Sequence, residues 1–171
     1  MNDIETLYHH TLASPIGDLL LVGDEDALHG VYFQAGPRPT KPRKEWQPSE
    51  KPFREVTRQL KAYFTGKLTT FDLPLAPAGT EFQLKVWKTL QTIPYGKTWS
   101  YGELARKIRR PAASRAVGAA NGQNPIPVIV PCHRVIGADD SLTGFGGGLP
   151  IKQKLLALEG ALPGGAQVKL F

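Results

Sequence analysis

The chain has 171 residues, 41% hydrophobic and 21% charged, with a net charge of +6 and a single cysteine. That length suits one ordinary domain or two small ones, and no apolar run approaches the roughly eighteen residues that a membrane span needs. One cysteine excludes an internal disulfide, and the acidic start Met1-Asn2-Asp3-Ile4-Glu5 does not read as a secretory leader, so a cytoplasmic protein without a membrane partner is expected.

Residues 8–12, 18–22 and 28–33 are short runs of strand formers, separated by turn signals at Ser14-Pro15-Ile16-Gly17 and Gly23-Asp24-Glu25-Asp26. They predict a β-meander. Residues 34–52 carry Pro37, Pro39, Pro42, Pro48 and Pro52 among few apolar residues and read as an extended connection. Phe53, Val56, Leu60, Tyr63 and Phe64 recur at helical spacing, with Gly66 as the stop, and a further strand is expected over residues 69–73. The proline- and glycine-bearing residues 74–79 read as a boundary, dividing a domain 1–78 from a domain 79–171.

The second domain opens with two capping-box patterns, Thr80-Glu81-Phe82-Gln83 and Ser100-Tyr101-Gly102-Glu103. Phe82, Val86, Leu90 and Ile93 share one helical face after the first, and Pro94-Tyr95-Gly96 ends that helix. Leu104 and Ile108 point inward after the second. Pro111 is expected at the first position of another helix that stops at Asn121-Gly122. Two short helices joined by a tight turn give a helix-turn-helix pattern, within a mostly helical domain of an α+β protein.

Charge is distributed unevenly between the halves. Residues 1–78 hold nine Lys/Arg against ten Asp/Glu, whereas residues 79–171 hold twelve against five. Lys97, Arg106, Lys107, Arg109, Arg110 and Arg115 crowd one stretch with Glu103 as its only acid. Such a stretch suits a polyanion, since each cation at a phosphate releases counterions; a merely solvated basic face is the alternative. The helix carrying Arg115 is otherwise built from Ala112, Ala113, Ser114, Ala116, Gly118, Ala119 and Ala120. Its slimness suits either close approach to a groove or close packing between helices.

Chemistry points to Pro131-Cys132-His133-Arg134, delivered by what reads as a buried strand, Val128-Ile129-Val130. A lone cysteine in an apolar run is more often core filler than nucleophile, because free cysteine is among the most buried residue types. As a nucleophile it needs a base, which His133 supplies, and a carboxylate such as Glu159, on an amphipathic helix over residues 151–159, would orient that base. Neighbours on a strand point apart, so Cys132 and His133 would meet through a bend or a bridging water. Trp87 and Trp99 are expected to pack between helices.

The run Ala116-Val117-Gly118-Ala119-Ala120-Asn121-Gly122-Gln123-Asn124-Pro125, followed by Val130-Pro131-Cys132-His133-Arg134-Val135, closely resembles the O6-alkylguanine-DNA alkyltransferases. Tyr101, Gly144-Phe145-Gly146-Gly147-Gly148 and Leu158-Glu159-Gly160 extend the likeness over residues 80–160. The resemblance implies irreversible, single-use transfer of an alkyl group from guanine O6 in double-stranded DNA to Cys132. His133 would act as base through a water, oriented by Glu159; Asn124 would brace the turn; Tyr101 would help protonate the leaving guanine. Arg115 would enter through the minor groove and replace the extruded base, with Ser114, Ala116, Ala120 and Asn121 on the same DNA-binding helix. The backbone at Cys132, Val135 and Gly146 would read the guanine edge, and Phe145 would shape the pocket.

No cofactor is implied, and a monomer is expected. The glycine run lacks the serine of some relatives. The cysteines with which some members bind zinc are missing, and His9, His10 and His29 alone do not suggest a metal site. Relatives with tryptophan at the reactive position are non-reactive binders, and Cys132 sets this chain with the reactive proteins. A non-catalytic helix-turn-helix binder and a multiple-turnover cysteine hydrolase stand as the rival functional classes.

Overall fold

The computed structural model describes residues 5–36 and 38–163, and the chain divides into two compact units, Met1–Pro77 and Ala78–Phe171. In the first unit β1 (Tyr8–Leu12), β2 (Leu19–Gly23) and β3 (Leu28–Phe33) form the meander. The first turn closes through Gly17 N–H donating to Ser14 O at 3.1 Å, with Gly17 at φ +96°, a conformation only glycine adopts freely. The second turn is held by Asp24, whose Oδ1 accepts from the backbone N–H groups of Asp26 and Ala27 at 2.6 and 2.8 Å.

Two expectations for this unit fail. The proline-rich connection contains β4 (Gln47–Pro48), which pairs parallel with β1 in the sheet order β3-β2-β1-β4. Gln47 N–H donates to Leu7 O and Ser49 N–H to His9 O, while Pro48, lacking a donor, sits between them on the sheet edge. Residues 69–73 form no strand. Instead Gln59, on the buried face of α1 (Arg54–Phe64), both donates to Asp72 O and accepts from Asp72 N–H, each at 2.9 Å. A side-chain amide thus takes the backbone groups that a ladder would have used, and sheet contact resumes only at the Leu28–Leu75 bridge.

In the second unit both capping boxes form. Thr80 caps α2 (Glu81–Leu90) and Ser100 caps α3 (Tyr101–Lys107), each with its reciprocal partner Gln83 or Glu103. A turn with Arg109 at φ +61° ends α3: Arg110 N–H reaches Ala105 O and Arg109 N–H reaches Arg106 O. This pushes the next helix, α4 (Ser114–Gly122), three residues beyond the expected start, so Pro111 lies in the turn rather than at the first helical position. Trp87 is buried and donates its indole N–H to Ala120 O at 2.8 Å, fixing α4 against α2. Trp99 is only half-buried and lies under the Lys107 ammonium, 5.4 Å from the ring centre.

The largest departure precedes the cysteine. Residues 128–130 are not a strand; Val128 has φ +73° and Val130 N–H bonds back to Ile126 O at 2.9 Å. Pro125, Pro127 and Pro131 remove the donors that a ladder would need, so the apolar run folds into a buried turn. Cys132–Arg134 is then a single 3₁₀ turn, followed by β6 (Val135–Ile136). β6 pairs parallel with β5 (Trp99–Ser100), which carries the start of α3, and Tyr101 with it, to the cysteine turn. Helix α5 (Leu149–Leu158) closes the unit.

Replacing Trp87 by Phe keeps most of the apolar bulk but leaves Ala120 O buried without its donor. We expect a loss of about 1–3 kcal/mol of stability, read by urea unfolding. An unchanged unfolding midpoint would show that the α2–α4 contact rests on shape alone.

Candidate active site

Cys132 opens the 3₁₀ turn and is 5% exposed. Asn124 sets the turn below it, donating from Nδ2 to Val130 O at 2.8 Å and accepting from Ile126 N–H at 3.0 Å. Asn124 also draws the pKa of the cysteine thiol down. Burial pushes the Cys132 thiol up to about 11, against the opposing pull of Asn124 and of the Lys152 ammonium. The resting residue is therefore a thiol.

His133 is fully buried, and its Nε2 lies 2.6 Å from Glu159 Oε2, so the structure brings together the histidine and carboxylate that the sequence paired. Burial lowers the His133 pKa despite the attraction of Glu159. Burial alone would raise Glu159, but bonds and charge from His133 and Arg134 overcome it and hold the carboxyl at about 2. A neutral imidazole facing an ionised carboxylate carries its proton on Nε2. Its Nδ1 is then an acceptor, and it is buried with no hydrogen-bond partner among the described residues.

Two residues of this centre were not anticipated. Arg134, expected only as a neighbour, donates Nε to Glu159 Oε1 at 2.7 Å, one terminal nitrogen to Oε2 at 3.3 Å and the other to Ile93 O at 2.7 Å. Lys152 has no exposed surface, and its Nζ donates to Val135 O and Thr143 O at 2.6 and 2.8 Å. The signal was present in α5: Lys152, Leu155, Leu156 and Glu159 follow the i, i+3, i+4, i+7 spacing of a buried face. A lysine and a glutamate on that stripe mark a polar centre.

Tyr101 Oη lies 3.0 Å from Thr143 Oγ1. Val135 is buried, Phe145 half-buried and Gly146 exposed. Of the residues expected on the DNA, Arg115 and Ala116 are exposed and Ser114 is half-buried, but Ala120 and Asn121 are 1% and 3% exposed. Helical geometry explains this correction, since Val117, Ala120 and Asn121 share the inward face of α4. Asn121 instead donates to Cys132 O at 3.4 Å, which makes it part of the cysteine's surroundings. Lys97, Arg106, Lys107, Arg109, Arg110 and Arg115 are all exposed. In the other unit His29 gathers with Asp24 and Glu5, their ligand atoms within 4.8 Å, rather than with His9 or His10; His29 and Asp24 bond each other at 2.6 Å.

The chain is similar to known proteins over most of its length. Residues 7–77 match the family model described as 6-O-methylguanine DNA methyltransferase, ribonuclease-like domain, and residues 81–161 match its DNA binding domain. A Methanosarcina acetivorans protein named methylated-DNA–protein-cysteine methyltransferase is 54% identical over 155 residues, covering 91% of this chain and 99% of its own. A Mycobacterium tuberculosis protein of the same name is 51% identical over 154 residues, covering 90% and 92%. The crystal structure of M. tuberculosis OGT in complex with DNA superposes with a TM-score of 0.84 at 49% identity, over 92% of this chain and 96% of that one.

The Glu159 centre has an acid limit. A carboxyl held at about 2 in the folded chain and near 4.5 when unfolded contributes stability that is complete above pH 4.5 and is lost as pH falls toward 2. The contribution is on the order of 3 kcal/mol. In a His133→Asn background, where no imidazole titrates and Arg134 still holds the carboxylate, urea unfolding from pH 6 to 2.5 should therefore decline more steeply for the single variant than for His133→Asn/Glu159→Gln. Asp24, also near 2, titrates identically in both proteins and drops out of the difference. Parallel declines would place the acid sensitivity elsewhere.

Proposed function

Because the chain belongs to the 6-O-methylguanine DNA methyltransferase family, we propose that it reverses O6-alkylguanine damage in DNA by moving the alkyl group once, irreversibly, onto Cys132. The observation that carries this reading is the buried Cys132 turn, placed beside a histidine whose Nε2 is committed to Glu159 and whose Nδ1 has no partner among the described residues.

The thiol proton passes to His133 Nδ1, through a bridging water, as the alkylated base arrives; the imidazolium is stabilised by Glu159. The sulfur then attacks the alkyl carbon in line. A carbon–sulfur bond forms, the carbon–O6 bond breaks, and its electrons pass into the guanine, which accepts a proton from Tyr101; the proton that His133 took from the thiol is released to water, from which the phenol is restored. The products are a thioether and an unmodified base. No further group is required, and nothing in the chemistry regenerates the thiol. Asn124 holds the sulfur's position by bracing the turn, and Val135, Phe145 and Gly146 frame the base.

Guanine O6 lies inside the duplex stack, so the base must leave the helix to reach a buried sulfur. Helix α4 supplies the means, with α3 and α4 as the helix-turn-helix. Ser114, Arg115 and Ala116 face outward on a slim surface among the exposed cations of residues 97–115, and Arg115 enters the minor groove to occupy the vacated space. Residues 79–171 bind DNA and carry out the transfer, and residues 1–78 support them, in a cytoplasmic monomer. Mass measurement after incubation with methylated DNA is the direct test. A persistent methyl adduct on Cys132 is expected; no adduct would indicate a non-catalytic binder, and a transient one a hydrolase.

Cys132→Ala should abolish transfer while leaving DNA affinity nearly intact, because phosphate contacts supply most of that affinity. Cys132→Ser should fail as well, an alcohol giving almost no anion at neutral pH. Methyl transfer by the alanine variant would refute the assignment.

Arg115→Ala should impair repair of duplex DNA strongly and reaction with free O6-benzylguanine far less, since a free base needs no extrusion. Single-turnover rates on both substrates decide it. Equal losses on the two would give Arg115 another role.

A further inference from the structure

Among the described residues around the cysteine, the buried ammonium of Lys152 has no part in the transfer as written. Lys152 lies in the first turn of α5, the end of a helix that favours anions, and its side chain has no exposed surface. An ammonium in such a place costs several kcal/mol unless an anion balances it. Its two acceptors, Val135 O and Thr143 O, are neutral carbonyls. The Glu159 carboxylate is engaged by His133 and Arg134. With His133 neutral, the buried charges of Arg134, Lys152 and Glu159 sum to one excess positive. A thiolate at Cys132 removes that excess.

We propose that Lys152 is the counter-cation of the Cys132 thiolate, and a positioning residue that ties α5 to the cysteine turn through Val135 and to the Tyr101 partner Thr143. The inference rests on the transfer reading for its purpose, but not for its physical test. The two groups act on each other as such a pair must. Lys152 pulls the thiol down, and Cys132 opposes the burial that lowers Lys152, whose pKa stands at about 8. The ammonium is therefore charged at neutral pH and lost above about 8. The other titratable or charged groups around the pair are His133, Arg134 and Glu159, with Tyr101 reaching it through Thr143 and Tyr95 lying under Arg134. Of these, His133 is held down in part by the Lys152 charge, so Lys152→Met raises the imidazole's pKa, which works against the expected loss rather than for it.

The chain has one cysteine, so its alkylation by iodoacetamide reports on Cys132 alone, without DNA or guanine. Rates between pH 6 and 10 should be compared for the parent, Lys152→Met and Lys152→Arg. An opposite charge at close range shifts a thiol by about one unit or more, so Lys152→Met should react about tenfold more slowly below pH 8. Above pH 8 the parent loses its own ammonium, its rate should bend, and the two curves should converge. Lys152→Arg, which stays charged, should keep the parent's rate below pH 8 within a few-fold and show no bend. A loss of the same size at every pH, or no loss, overturns the pairing.

If Lys152→Met does not fold, the pairing is read in the unsubstituted lysine. The parent's own iodoacetamide profile should bend above about pH 8, where the ammonium is lost, and a profile that rises to pH 10 without a bend overturns it. A chain that shows the expected iodoacetamide profiles but takes no methyl group from DNA would retain the pairing and lose the transfer reading.

Discussion

A carboxylate inside a protein must be surrounded by donors or it will not stay ionised there, and the arrangement of residues 78–163 follows from satisfying Glu159. Its two oxygens receive His133 and Arg134, and Arg134 spends its remaining nitrogen on Ile93 O, just beyond α2. Three separate parts of the chain, the end of α5, the 3₁₀ turn and the segment after α2, are thereby fixed to one group. Breaking a buried pair by removing one partner typically costs about 3–5 kcal/mol, because the partner left behind is an uncompensated charge. The penalty holds the cysteine turn in one place, and it fixes the tautomer of the histidine next to the sulfur. Structural and chemical requirements coincide on the same three side chains.

The state of the sulfur follows from the same burial. A thiol at about 11 is nearly inert toward casual electrophiles and oxidants, whose targets are exposed thiolates. For a nucleophile used once, unproductive modification is as final as repair, so low resting reactivity is an advantage. The site must then create the thiolate only when a base is seated, and it holds the parts for this: an accepting imidazole nitrogen, an amide that draws the thiol's pKa down and a buried ammonium.

How much of this was legible in the sequence depended on the range of the interaction concerned. The capping boxes at Thr80 and Ser100 were readable because cap and partner lie three residues apart. The meander was readable because alternation and turn chemistry are local. The missing strand at 69–73 was not, because Gln59, thirteen residues away from Asp72, supplies its backbone bonds. β4 was hidden by its own proline and those around it, which forbid an interior strand but not a two-residue edge. Within the site, the Pro-Cys-His-Arg run announced Cys132 and His133, and Glu159 was suggested by its amphipathic helix before the resemblance gave it a role. Lys152 and the double engagement of Arg134 depend on which face of α5 turns inward. Asn121 was assigned to DNA from its place in the helix, when the 3.6-residue period puts it beside Val117 and Ala120, against the core.

The turn before Cys132 shows why the apolar run there had to depart from strand geometry. Val128 is β-branched and holds φ +73°, a conformation that costs such a residue about 1–3 kcal/mol. The strain persists because its surroundings leave no relaxed alternative. Three prolines restrict the neighbouring backbone, Asn124 ties residues 126 and 130 together, and Val128 itself is fully buried. A strand would have delivered Cys132 and His133 to opposite faces of a sheet. The strained turn sets both in one 3₁₀ turn, with the sulfur near Asn124 and the imidazole on Glu159. An in-line displacement is sensitive to the direction of attack, and a nucleophile held near its reactive geometry gains rate that a mobile one must recover from entropy. A rigid turn of high local energy is therefore the form in which this chain positions a sulfur that acts once.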